Sequence, residues 1–282
     1  MIKFGPAGNS DLFYAQGFKT SLDAPRWLKN RGLTAYEYSF SRGFTMGEPV
    51  AKTLGEIAKE NGITISVHAP YYINFASPDE KLIEKSFGYI LESLRYLSIM
   101  GGNHCVFHPG SCGKMEREEA FKILKQHIKE LVVKIKEAGF EDMKICPETM
   151  GKSMQLGTYE EIAELCEIDE CIIPTIDFGH INALTQGGLK TVEDFEKIIK
   201  CFIDKIGIER MKNFHAHFSK IEFGPKGEIK HLTMEDEIYG PEFKYLAKVL
   251  KKYNLEPVII CESKGCQAED ANILKEIYEN TI

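Results

Sequence analysis

The run Pro174-Thr175-Ile176-Asp177-Phe178-Gly179-His180 is apolar until it stops at a carboxylate, and an imidazole follows three residues later. An Asp at the end of a buried strand and a His on the loop beyond it can each hold a metal ion. The plainer alternative is an Asp that caps the next helix beside an ordinary loop His. A single D-x-x-H is common by chance, so its meaning depends on whether other apolar runs end in the same way.

Working outward from it, β-rich runs stand at residues 2–4, 35–40, 64–68, 104–108, 143–148, 171–177, 213–217 and 257–262. Longer amphipathic segments separate them. The clearest span residues 79–100, with Leu82, Ile83, Phe87, Ile90, Leu91, Leu94 and Leu97 at helical spacing, and 116–138, with Phe121, Leu124, Ile128, Leu131, Val132 and Ile135. Gly32, Gly62, Gly101, Gly139 and Gly207 fall where helices would end in left-handed caps. Eight alternations of nearly uniform apolar strand and amphipathic helix predict an α/β fold, a (β/α)8 TIM barrel that takes residues 1–282 as a single domain. The first strand is followed by Gly5-Pro6-Ala7-Gly8, which lacks the spacing of a dinucleotide-binding turn.

In such barrels chemistry collects at the C-terminal strand ends. His68, His108, Glu148, Asp177, His215 and Glu262 close six consecutive runs, three to eight. Each alone reads as a hydrogen-bonded or capping residue. Six together at one mouth read as a metal site.

Composition bounds the setting. A chain of 282 residues with 43% hydrophobic content can bury a large core. No apolar run approaches the roughly 20 residues of a membrane span, and Met1-Ile2-Lys3-Phe4-Gly5 does not resemble a signal peptide, so the expected location is the cytoplasm. The eight cysteines are scattered without a CxxC pair and are expected to be reduced and buried. A net charge of −7 argues against a nucleic-acid binder only if bound cations are left out of the count.

The segments Val67-His68-Ala69-Pro70-Tyr71-Tyr72-Ile73-Asn74, Phe107-His108-Pro109-Gly110-Ser111, Pro147-Glu148-Thr149, Ile176-Asp177-Phe178-Gly179-His180, Phe214-His215 and Ile260-Cys261-Glu262 resemble, in order and spacing, the successive motifs of the endonuclease IV family. Its members are zinc-dependent apurinic/apyrimidinic endonucleases on a TIM barrel. The resemblance implies that His68 and His108 bind one zinc and that Glu148, the catalytic residue, bridges it to a second completed by Asp177, His215 and Glu262. A third zinc would take His180 with a pair after strand seven. There the bacterial pattern has an Asp and a His with one residue between them, whereas this chain offers Glu228-Ile229-Lys230-His231, with two between. Two to three Zn2+ ions are thus implied, with Mn2+ a possible substitute.

Two further departures stand out. The family's usual Asn-Asp after the strand-seven His is replaced around His217-Phe218, although Lys220 keeps its place; His217 then reads as a group supporting the ligands, an additional ligand or a packed side chain. The stretch 4–9 also lacks a His found near the family's first strand.

The resemblance implies hydrolysis of the phosphodiester 5′ to an abasic nucleotide, leaving a 3′-hydroxyl and a 5′-deoxyribose phosphate. The partner would be double-stranded DNA with abasic sites, contacted by Tyr71 and Tyr72 at the stack and by Arg42, Lys220, Lys114 and Lys264 at phosphates. Neither a membrane nor an obligate protein partner is expected, and the chain is read as a monomer. The rival reading is a sugar isomerase or epimerase of the xylose-isomerase-like barrels. That chemistry needs only Glu148, Asp177, His215 and Glu262 around one manganese or magnesium ion and leaves the remaining imidazoles unexplained. A non-catalytic metal-binding barrel is the third class and gives no reason for an open mouth.

Overall fold

A computed structural model describes residues 1–41 and 43–282, and in it the alternating pattern becomes eight barrel strands. We number them β1 (Lys3–Pro6), β2 (Ala35–Ser39), β3 (Thr64–His68), β4 (His104–Phe107), β5 (Lys144–Pro147), β6 (Thr175–Asp177), β7 (His215–Phe218) and β8 (Val258–Cys261). All pairings between them are parallel: β2-β3-β4-β5 form one half and β6-β7-β8-β1 the other. A bridge between Ala7 and Glu37 closes one seam, and bridges from Ile145 to Ile172 and from Glu148 to Thr175 close the other. At the first seam Gly5 is required by space, because a Cβ there would lie 1.8 Å from the Ala35 carbonyl oxygen.

The helices follow the sequence signals closely. Helix Glu80–Met100 starts at Asp79, whose side chain accepts from the Lys81 N–H, and ends at Gly101 in the left-handed region. Its buried stripe of Ile83, Phe87, Ile90, Leu94 and Leu97 faces the barrel. Each such fully buried side chain contributes roughly 1.5–3 kcal/mol. Helix Arg117–Glu137 is flanked by Glu116 and Ala138, with no side-chain cap at its start and a right-handed residue at its end, and buries Leu124, Ile128, Leu131 and Ile135. Thr158 with Glu161 and Thr191 with Asp194 form capping boxes on two further helices. The eight thiols are free, and six of them are buried.

Two departures from the expected strand limits matter. The sixth run is extended only over its last three residues, and the seventh strand begins at His215 and continues to Phe218. Outside the barrel, Gly110–Ser111 pairs with Gln155–Leu156, and a hairpin joins Lys220–Gly224 to Gly227–Leu232. The second of these carries Glu228 and His231 to the mouth.

Candidate metal centre at the barrel mouth

Because β3 and β6 end on their ligand candidates, and β4, β5 and β8 stop within one residue of theirs, His68, His108, Glu148, Asp177 and Glu262 arrive at one level. Glu148 is the common member. Its Oε2 lies 3.2 Å from His68 Nε2 and 3.0 Å from His108 Nε2, whereas its Oε1 lies 3.0 Å from His217 Nδ1 and 3.4 Å from His180 Nδ1. The two oxygens of one carboxylate therefore serve two different sets of donors. His68, His108 and Glu148 form one set, and Glu148, Asp177, His217 and Glu262 another, each with its donor atoms within 4.8 Å of one another.

The β7 imidazole that lies among Glu148, Asp177 and Glu262 is His217 and not the expected His215, which belongs to a deeper set with Glu37 and His217. Register is the reason. Residues two apart on a strand face the same way, so both rings point into the barrel. His217 pairs with Asp177, the last residue of β6, whereas His215 pairs with Thr175, one layer deeper. The strand continues past His217, so His215 opens β7 instead of closing it. Its Nε2 lies 2.9 Å from Glu37 Oε2, and its Nδ1 lies 3.3 Å from His104 Nδ1. The sequence reading assigned nothing to Glu37, Ser66 or His104. A glutamate in the middle of the apolar run Ala35-Tyr36-Glu37-Tyr38 was the available signal, since an ionisable group inside a barrel strand needs partners.

A third set joins His180, Glu228 and His231. The D-x-x-H spacing has both of its meanings at once. Asp177 Oδ1 accepts from the His180 N–H and caps helix Phe178–Leu184, so His180 sits in the first helical turn and not on a loop. Asp177 Oδ2, fully buried, has no hydrogen-bond partner among the described residues. The hairpin is docked by the Glu228 N–H, which donates to the Gly151 carbonyl at 2.9 Å. Gly227 makes the approach possible: its φ is +97°, and a Cβ there would lie 2.0 Å from the Gly151 oxygen.

Hydrogen bonds assign the ring nitrogens. His68 Nδ1 donates to the Ala69 carbonyl and His180 Nδ1 to the Thr149 carbonyl, leaving both Nε2 atoms for the centre. In His217 the order is reversed, Nδ1 facing Glu148 and Glu262 and Nε2 facing Glu37.

The charges point the same way. Burial would push the Glu148 carboxyl up, but the His217 charge and hydrogen bonds from His108, His180 and His217 hold it well below the usual range. Glu262, partly exposed at the mouth and also facing His217, is lowered to about 2. Asp177 is raised, chiefly by burial. Burial works against the charge on His68, yet Glu148 lifts it to about 9; His180 is raised well above its ordinary value by Asp177 and Glu148, and His217 by Glu262, Glu37 and Glu148. Three carboxylates that call for positive charge, imidazoles that supply it only as protons, and an orphaned Asp177 oxygen aimed among them make a donor set that fits divalent cations.

His68, His108, Glu148, His180, Glu228, His231 and Glu262 line a cavity of about 250 Å3, together with Ser39, Tyr71 and Lys152. A larger cavity, about 530 Å3, opens at the other end of the barrel between helices Glu48–Asn61 and Glu80–Met100, and no histidine lines it. Tyr71 and Tyr72 are exposed beside the mouth with ring centroids 4.1 Å apart. Lys220 is a correction. It is buried, and its ammonium donates to the Asp236 carbonyl and pairs with Glu242, so it is not available to a phosphate. Among the described residues, Lys152 is the cation that lines the cavity, 3.7 Å from Glu228 Oε2. Lys114 and Lys264 are exposed, and Arg42 lies outside the described residues.

Comparison with known proteins accords with this architecture. The family model described as xylose isomerase-like TIM barrel matches residues 25–278, and the chain belongs to that family. Within it, an uncharacterized protein of Methanocaldococcus jannaschii is 34% identical over 251 residues, 89% of each chain. A probable endonuclease 4 of Aquifex aeolicus is 28% identical over 235 residues, 77% of each chain. Among solved structures, endonuclease IV from Thermus thermophilus superposes with a TM-score of 0.74 at 18% identity, covering 99% of this chain and all of that one. D-psicose 3-epimerase from Clostridium cellulolyticum superposes at 0.69 and 14%, covering 99% and 98%. Both superpositions speak for the fold.

Proposed function

We propose that the protein is a metal-dependent phosphodiester hydrolase of the endonuclease IV type, cutting DNA 5′ to abasic sites, with residues 1–282 acting as one barrel domain. The observation that carries this reading is the division of Glu148: one oxygen faces His68 and His108, the other His217. A carboxylate shared between adjacent donor sets is what a multi-ion centre for in-line displacement at phosphorus needs, and a sugar isomerase working through one ion does not. The relatives named endonuclease 4 favour the same choice.

In this reading His68, His108 and Glu148 would hold one ion, Glu148, Asp177, His217 and Glu262 a second, and His180, Glu228 and His231 a third. Zinc fits the nitrogen-rich sets best, and manganese is a possible replacement. Such ions, when bound, supply Lewis acidity to the phosphoryl oxygens and bring the pKa of water toward 7. Glu148 orients the attacking water opposite the 3′-oxygen; the P–O3′ bond breaks, and water supplies the hydroxyl on phosphorus and the proton on the 3′-oxygen. Lys152 reaches a flanking phosphate, and the Tyr71–Tyr72 pair fills the stack beside the lesion.

The test is elemental analysis of the purified protein joined to incision of a duplex bearing one abasic site. Two to three zinc ions and cleavage 5′ to the lesion support the reading. One manganese or magnesium ion with no incision after zinc is added overturns it in favour of a ketose epimerase built on Glu148, Asp177, His217 and Glu262, the four donors one ion would need.

A further inference from the structure

Beneath the mouth lies a second, wholly interior layer of polar groups that hydrolysis does not use. Glu37 stands in the middle of β2, 1% exposed. Its Oε2 accepts from Ser66 Oγ at 2.9 Å and from His215 Nε2 at 2.9 Å. Its Oε1 lies 3.0 Å from His217 Nε2, and neither of those atoms has another hydrogen-bond partner among the described residues. A buried carboxylate without a lysine or arginine is costly unless its remaining lone pair is used. Among the described residues, the donor nearest this oxygen is the far nitrogen of the ring whose near nitrogen faces Glu148 and Glu262.

We propose that Glu37 is a positioning residue for the metal centre: its Oε1 takes the Nε2–H of His217, which fixes the ring's plane and commits Nδ1 to the ion shared with Glu148, Asp177 and Glu262. The inference rests on the metal-centre reading. A carboxylate behind an imidazole ligand sets the tautomer and raises the basicity of the coordinating nitrogen, and losing such a partner typically costs 10–100-fold in metal affinity. His215 touches the same carboxylate from below and serves as the internal comparison, since it shares the network without facing the mouth.

The experiment is a zinc titration of the full chain against a competing chelator, with the unfolding temperature of each zinc-free variant measured in parallel. Glu37→Gln keeps the volume and removes the charge; we expect zinc binding weakened at least tenfold. His215→Gln retains a donor at the Nε2 position and should stay within about threefold of the parent chain, whatever it does to the unfolding temperature. If Glu37→Gln does not fold, Glu37→Asp, which only withdraws the carboxylate by one methylene, takes its place with the same expected direction. Zinc bound equally tightly by the parent chain and the Glu37 variant overturns the assignment. So does an equal loss in the His215 variant, which would make the layer a structural support only. A parent chain that binds no zinc removes the metal reading itself and is told apart from either outcome.

Discussion

Two histidines on one strand, two residues apart and facing the same way, occupy different chemical environments. His217 has Glu37, Glu148 and Glu262 around it and is held well above its ordinary pKa by them. His215 has Glu37 on one side and His104 on the other, and burial wins: its pKa is lowered, and that of His104 falls to about 3. The difference is one layer of the barrel, about two residues of rise. It teaches that the number of carboxylates in reach, and not burial, separates a metal-ready imidazole from a core imidazole, since both rings are fully buried.

The largest expected effect comes from the carboxylate that joins the donor sets. Glu148→Ala should lower kcat/KM for an abasic duplex by about 10³-fold or more and reduce the bound zinc, read by elemental analysis beside the kinetics. Retained zinc and near-normal incision would break the picture of a shared ligand. The histidine pair should then divide cleanly. His217→Ala should lose zinc affinity by more than the 10–100-fold typical of losing a supporting partner. His215→Ala should keep its zinc and lose about 1–3 kcal/mol of stability, because it leaves the buried Glu37 short of a donor. If the two exchange roles in chelator competition and denaturant unfolding, β7 is out of register.

The hairpin gives a smaller, local effect. Gly227→Ala adds a Cβ against the Gly151 carbonyl at a positive φ and should cost about 1–3 kcal/mol locally, removing the ion at His180, Glu228 and His231 while the others stay. Zinc stoichiometry lowered by one, with incision reduced but not abolished, is the expected result.

The pH dependence of the metal-free chain sharpens the contrast further. His68, raised from 6.5 to about 9, contributes stability that is complete below 6.5 and lost as pH rises through 9, and His180 and His217 act in the same direction. Glu262, lowered from 4.5 to about 2, contributes stability present above 4.5 and lost as pH falls toward 2. His104, lowered from 6.5 to about 3, and His215, also lowered, withdraw stability as pH falls below 6.5, so the unfolding temperature without metal should peak near pH 6.5 and decline toward 9, and zinc should flatten that decline. The smallest effect belongs to the surface: Lys152→Ala should reduce the salt dependence of duplex binding by about one unit of slope, and Lys220→Ala, whose charge is already paired, should leave the slope unchanged.

Much of this protein was written in the sequence. Eight alternations of apolar run and amphipathic helix determined the barrel, because period and burial are local properties of the chain. The residue types at the ends of runs three to six, with Glu262 after run eight, determined that histidines and carboxylates would meet, and Asp177 with His180 carried a cap and a donor in four residues. The tertiary structure decided what depends on register between strands. It chose His217 over His215, because identical rings two residues apart cannot be ranked until their neighbours on β6 and β8 fix which layer each occupies. It drew Glu37 from the other half of the barrel to the back of His217, a contact across 180 positions of chain that no local pattern encodes. It also turned Lys220 inward to Glu242 and left Lys152 to line the mouth, since the direction of a long side chain is settled by which partner it meets first.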